Sequence, residues 1–144
     1  MKVLILSTGT GEGHNSAGKA VQEQFQKRGI SCKMEDVLAF ASEKAASYGK
    51  RIYVWSTVKA TKVFKGAYRA GKAITSARRK SPVYYANALY AEKLYRYIVD
   101  NGYDTVVMPH LFPAEALTYM LRKHECRPDI HTYFVGTDYT CIPF

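Results

Sequence analysis

The chain predicts an α/β domain built on an open, mostly parallel sheet with helices on both faces. Three observations carry that expectation. The short runs Val3-Leu4-Ile5-Leu6 and Thr105-Val106-Val107-Met108 have the uninterrupted apolar character of buried parallel strands. Helical patterns of apolar residues follow them. Polar turns rich in glycine, proline or histidine stand after the strands, where sheets of this class place their ligands.

Residues 2–7 read as the first strand. Residues 7–14 are a loop in which Gly9, Gly11 and Gly13 let the backbone turn sharply and a ligand come close. A helix over 15–28 places Ala17, Ala20, Val21 and Phe25 on one face. Asn15 or Ser16 caps it, so its N-terminal amides point toward the loop, and Gly29 stops it. Ile30, Cys32 and Met34 alternate and make 30–37 a second parallel strand. Residues 41–81 read as a long helical stretch, with possible breaks at Gly49 or Gly66, ending before Pro82. A helix over 83–100 carries Ala88, Leu89, Leu94 and Ile98 and closes at Asn101-Gly102. Residues 104–108 are the third strand. Pro113 starts a helix that runs to about Lys123. Residues 132–135 are the fourth strand, followed by Gly136-Thr137-Asp138. The order is β-α-β-(α-α)-β-α-β. No closing helix follows the last strand, which suggests the first half of a longer protein.

A length of 144 residues fits one domain with a sizeable core. No apolar run reaches the 18 residues of a membrane-spanning helix. The apolar stretch after Lys2 lasts four residues, too short for a secretory signal. Cys32, Cys126 and Cys141 are an odd set without a C-x-x-C pair. This favours a reducing cytoplasm and gives no metal signature; neither metal nor cofactor is expected.

The net charge of +9 is concentrated in one segment. Residues 44–91 hold eleven Lys or Arg and no Asp or Glu; the remainder holds ten basic and twelve acidic residues. Within this segment Lys59, Lys62, Lys65, Arg69 and Lys72 step by three or four and form a stripe. Ala60, Val63, Phe64, Ala67, Ala70, Gly71 and Ile74 form an apolar stripe beside it, and Tyr53, Trp55 and Tyr68 add amphipathic rings. Such a helix suits an anionic bilayer interface, through Trp55, Lys59, Lys62, Phe64, Lys65, Arg69 and Lys72. An ordinary solvated face and a nucleic-acid surface are the alternatives. Absence of acidic residues argues against the first. Absence of a zinc finger, RNP motif or KH loop argues against the second, and no nucleic-acid partner is expected.

The loop after the first strand departs from both standard nucleotide motifs. Gly13-His14-Asn15 lacks the lysine of a P-loop, and the glycine spacing is G-x-G-x-G rather than G-x-G-x-x-G. Glu12 would repel a pyrophosphate. His14, His110 and Asp138 all fall at strand carboxyl ends and are expected to converge. The bland alternative is a glycine-rich connection with an exposed histidine and no chemistry.

Together these motifs carry a resemblance. The stretch Val3-Leu4-Ile5-Leu6-Ser7, continued by Gly11-Glu12-Gly13-His14-Asn15-Ser16-Ala17, resembles the glycine-glycine-histidine opening of the diacylglycerol sugar transferases. These are the plastid monogalactosyldiacylglycerol synthases and the bacterial processive diacylglycerol glucosyltransferases. Val135-Gly136-Thr137-Asp138-Tyr139 is similar to the family's Thr-Asp-aromatic motif, and Met108-Pro109-His110 stands where the family has a polar strand end. A histidine common after the Thr-Asp motif is replaced here by Thr140-Cys141-Ile142-Pro143.

The resemblance implies a Rossmann-like N-terminal half of a GT-B fold, binding acceptor lipid and membrane, with a separate domain binding most of the nucleotide sugar. It implies transfer of a hexose from UDP-glucose or UDP-galactose to diacylglycerol, at the inner face of the cell membrane, and an isolated chain that transfers no sugar. Catalytic roles then fall to His14 as base and Asp138, with Asp138 or Glu12 orienting the imidazole. Acceptor binding falls to Gly11, Glu12, Gly13, Asn15, His110 and Thr137. A non-enzymatic membrane-binding domain and a transferase using a polyprenol-linked acceptor are the rivals.

Overall fold

A computed structural model describes residues 1–9, 12–41, 82–123 and 129–137. Gly11, Asp138 and the basic segment with Trp55, Lys59, Lys62, Phe64, Lys65, Arg69 and Lys72 lie outside the described residues, as does the helix expected over 42–81. The elements are β1 (Lys2–Ser7), α1 (Glu12–Lys27), β2 (Ser31–Asp36), a 3-10 turn (Val37–Phe40), α2 (Pro82–Asp100), β3 (Thr105–Met108), α3 (Leu111–Lys123) and β4 (His131–Phe134). The four strands form one all-parallel sheet in the order β2-β1-β3-β4.

Alternation along the strands divides the core in two. Val3, Ile5 and Val107 face α1, where Val21 and Phe25 of α1 pack on them together with Cys32 and Met34 of β2. Leu4, Leu6, Val106 and Met108 face the other side, beneath Ala91, Leu94 and Ile98 of α2 and Ala116, Leu117 and Met120 of α3. This is the layering that the sequence predicts. β4 forms the outer edge, and all four of its residues are exposed.

Helix ends explain most of the boundary differences. Gly29, at φ +69°, ends α1 as expected. The amide of Ile30 donates to the Phe25 carbonyl and that of Gly29 to the Gln26 carbonyl, the paired bonds of a left-handed C-terminal cap. Gly102, at φ +64°, ends α2 the same way. The start of α1 is a correction: it lies at Glu12, so Asn15 and Ser16 sit within the helix and neither is the cap. α3 likewise begins at Leu111 rather than at Pro113, because the His110 ring accepts the Phe112 amide at 3.1 Å and supplies the terminal acceptor. Pro113 is tolerated there because first-turn amides need no intrahelical partner.

The winding sets the site. From β1 the chain passes outward through α1 to β2, then returns to β3 on the other side of β1 and continues outward to β4. Right-handed crossovers therefore place α1 and α3 on opposite faces. The winding direction reverses between β1 and β3, and sheets of this class bind ligands at the strand carboxyl ends there.

Candidate functional site

Three segments meet at the strand carboxyl ends: the start of α1, Pro109-His110 after β3, and residues 135–137 after β4. The parallel register sets Met108 beside Phe134, and the Val135 amide donates to the Met108 carbonyl at 3.0 Å. Two residues further on, Thr137 reaches Pro109, with its hydroxyl 3.5 Å from the Pro109 carbonyl oxygen.

His14 is the third residue of α1, so the helix start aims its ring along the sheet edge. Its Nδ1 lies 2.8 Å from the Pro109 carbonyl oxygen and 2.7 Å from Thr137 Oγ1. A carbonyl oxygen only accepts, so Nδ1 carries the hydrogen and shares it between the two oxygens. The lone pair then resides on Nε2. His110 has the opposite arrangement. Its Nδ1 accepts the Phe112 amide, so the neutral ring carries its hydrogen on Nε2. The two imidazoles meet edge to face, with centroids 4.5 Å apart and planes at 83°, and Phe112 packs on the far side of His110 at 4.5 Å.

Asn15 is held from within the domain, where buried Ser7 donates its hydroxyl to Asn15 Oδ1 at 2.7 Å. Glu12 and Gly13 are exposed at the first turn of α1. The groups meeting His14 Nδ1 are Pro109 and Thr137 rather than Glu12. The structure thus brings His14, His110 and Thr137 together, with Asn15 beside them.

Other features here were not legible in the sequence. Pro109 acts through its backbone carbonyl, which no residue type announces. A buried polar relay joins α2 to α3: Tyr90 donates to Asn87 Oδ1 at 2.6 Å, and Asn87 Nδ2 donates to Glu115 Oε2 at 2.5 Å. Burial pushes the Tyr90 hydroxyl well above the usual tyrosine range, helped by the charges of Glu115 and Asp36. Tyr90, Asn87 and Glu115 fall at helical spacing among apolar residues, and a polar position on a core face was the available signal. Among the described residues, no group of three His, Cys, Asp or Glu is placed to hold a metal, and no helix is long and apolar enough to cross a membrane.

A four-stranded parallel sheet covered by helices, its winding reversing between β1 and β3, is the Rossmann-like arrangement of the N-terminal half of a GT-B fold. The family model for monogalactosyldiacylglycerol (MGDG) synthase matches residues 14–144, and the chain belongs to that family, as its N-terminal domain. With membership comes a glycolipid glycosyltransferase type of function. No curated protein and no solved structure matches the chain.

Proposed function

We propose that this chain is the acceptor half of a transferase that moves a hexose from a nucleotide sugar, UDP-glucose or UDP-galactose, to the free hydroxyl of diacylglycerol. The reading rests chiefly on one observation: His14 Nδ1 is held by Pro109 O and Thr137 Oγ1 at the switch point, leaving the Nε2 lone pair for a proton. The acceptor oxygen attacks the anomeric carbon, its proton passes to Nε2, and the bond from that carbon to the diphosphate breaks. The nucleoside diphosphate leaves with the electron pair. Protonation at Nε2 leaves the Nδ1–H bonds in place, and the Pro109 carbonyl stabilises the imidazolium, so the ring need not move.

In this reading Asp138 supports catalysis, and Gly11, Glu12, Gly13, Asn15, His110 and Thr137 line the acceptor side. His110 presents Nε2–H toward substrate oxygens, and the amino end of α1 favours developing negative charge. Most donor contacts belong to a second domain. Residues 44–91, with eleven basic and no acidic residues, hold the domain on an anionic bilayer where diacylglycerol resides. A product assay in mixed micelles tests the reading. The full-length protein is given nucleotide sugar with either diacylglycerol or a polyprenol-linked acceptor. Glycosylated diacylglycerol is the expected product. Transfer only to the polyprenol-linked acceptor, or to neither, would overturn it.

A further inference from the structure

Parallel sheets of this class commonly end their second strand in an acidic residue that binds a nucleotide ribose. Asp36 occupies that position here, and both of its carboxylate oxygens are already used. Oδ1 accepts the Leu38 amide at 2.9 Å and so caps the 3-10 turn at Val37–Phe40. Oδ2 accepts the Gly9 amide at 3.0 Å, across 27 residues of sequence. The second bond reaches from the end of β2 over to the turn that leaves β1. On the other side of that turn, Ser7 holds Asn15, the neighbour of His14.

The geometry assigns Asp36 as a positioning residue: it tethers the Gly9 backbone and thereby fixes the turn that delivers His14 to Pro109 and Thr137. A glycine-containing turn samples many conformations when free. Its backbone amide has no side chain of its own to anchor it, so a carboxylate from the next strand does so instead. A bond from the Gly9 amide to a carboxylate is stronger than one between neutral groups, which suits a tether. Asp36 does not touch the reacting atoms and acts through the turn. Its significance for catalysis rests on the transferase reading, whereas the tether itself does not.

The test uses the 144-residue chain and substitutions that separate the two oxygens. Asp36→Asn and Asp36→Ser each keep one acceptor for the Leu38 amide, and so preserve the cap, while removing the carboxylate from Gly9. Two nuclear magnetic resonance readouts follow: hydrogen exchange of the Gly9 amide, and the ring ¹⁵N shifts of His14. Exchange at Gly9 should quicken by about tenfold or more, the loss of one charge-assisted bond. The His14 ring should move from a fixed Nδ1–H tautomer toward the averaged shifts of an unconstrained imidazole, with the far-ultraviolet circular dichroism unchanged. Unaltered His14 shifts in both folded variants would overturn the proposal, and so would unaltered Gly9 exchange. If both variants unfold, Asp36→Glu supplies a longer carboxylate that retains the charge; fixed His14 shifts together with wild-type Gly9 exchange support the tether, and any other result contradicts it. No sugar transfer is needed for these readouts, so failure of the transferase assay leaves them standing, and their failure leaves that assay intact.

Discussion

His14 Nδ1 lies 2.8 Å from the carbonyl oxygen of Pro109, a contact that spans 95 residues of sequence and joins the first turn of α1 to the end of β3. It fixes which ring nitrogen holds the lone pair. It also shows how a histidine three residues into a helix reaches the end of β3. The parallel pairing of β1 with β3 brings the two segments together, and the sheet order makes their meeting point the switch point.

Thr137 shares that hydrogen. Thr137→Val removes the 2.7 Å hydroxyl and leaves the carbonyl bond. One neutral hydrogen bond contributes about 0.5–1.5 kcal/mol, so kcat of the full-length enzyme should fall about two- to tenfold. Steady-state kinetics on diacylglycerol measures this; an unchanged kcat would show that the hydroxyl does not help hold the ring.

Tyr90 anchors α2 to α3 through Asn87. Tyr90→Phe leaves the buried Asn87 carbonyl without its donor and should lower stability by about 1–3 kcal/mol in urea denaturation. Because the folded-state value of the Tyr90 hydroxyl is raised, chiefly by burial, its contribution is complete below the unfolded tyrosine value of about 10. It is lost as pH rises from there through the folded value. The stability gap between wild type and variant should therefore narrow in strong alkali, and a gap constant up to pH 11 and beyond would contradict this.

Asp104 closes the opposite edge of the sheet. Its carboxyl sits below its ordinary value of 3.8, held there first by the Thr105 hydroxyl, with the Lys2 amide and the chain amino group also contributing. A depressed acid stabilises the fold above its unfolded value and loses that contribution as pH falls through the folded one. Asp104→Asn should thus lower Tm at pH 7, and the difference should shrink on acidification below the ordinary value. Equal Tm at neutral pH would refute the staple.

Much of this architecture was legible in the residues. Continuous apolar runs mark β1 and β3 because both of their faces are covered, and Gly29 marks the end of α1 because only glycine takes a left-handed φ without strain. The start of α1 was not legible. Gly11 and Gly13 discourage a helix, yet α1 begins at Glu12, an acidic first-turn residue favoured by the helix dipole. His14, His110 and Thr137 could be named from their places at strand ends, but the tautomers could not. They depend on a backbone carbonyl and a backbone amide, which every residue possesses. Asp36 was invisible for the same reason, since its partners are the amides of Gly9 and Leu38.

The basic segment gives a separate prediction. The chain should bind anionic vesicles in sedimentation and release them in salt, since exposed charges are screened over roughly 10 Å at 0.1 M. Lys59/Lys62/Lys65→Glu reverses the stripe and should weaken binding further. Equal binding to neutral and anionic vesicles would remove the electrostatic account; tighter binding to DNA at physiological salt would favour the nucleic-acid alternative.

The proposed transfer turns on His14 taking the proton of the acceptor hydroxyl. Turnover of His14→Ala in the full-length protein, with diacylglycerol and nucleotide sugar supplied, tests it most directly. The expected result is a fall in kcat of roughly two to four orders of magnitude, the usual contribution of a general base, with the fold intact by circular dichroism and thermal melting. Near-normal turnover by a folded His14→Ala enzyme would contradict it.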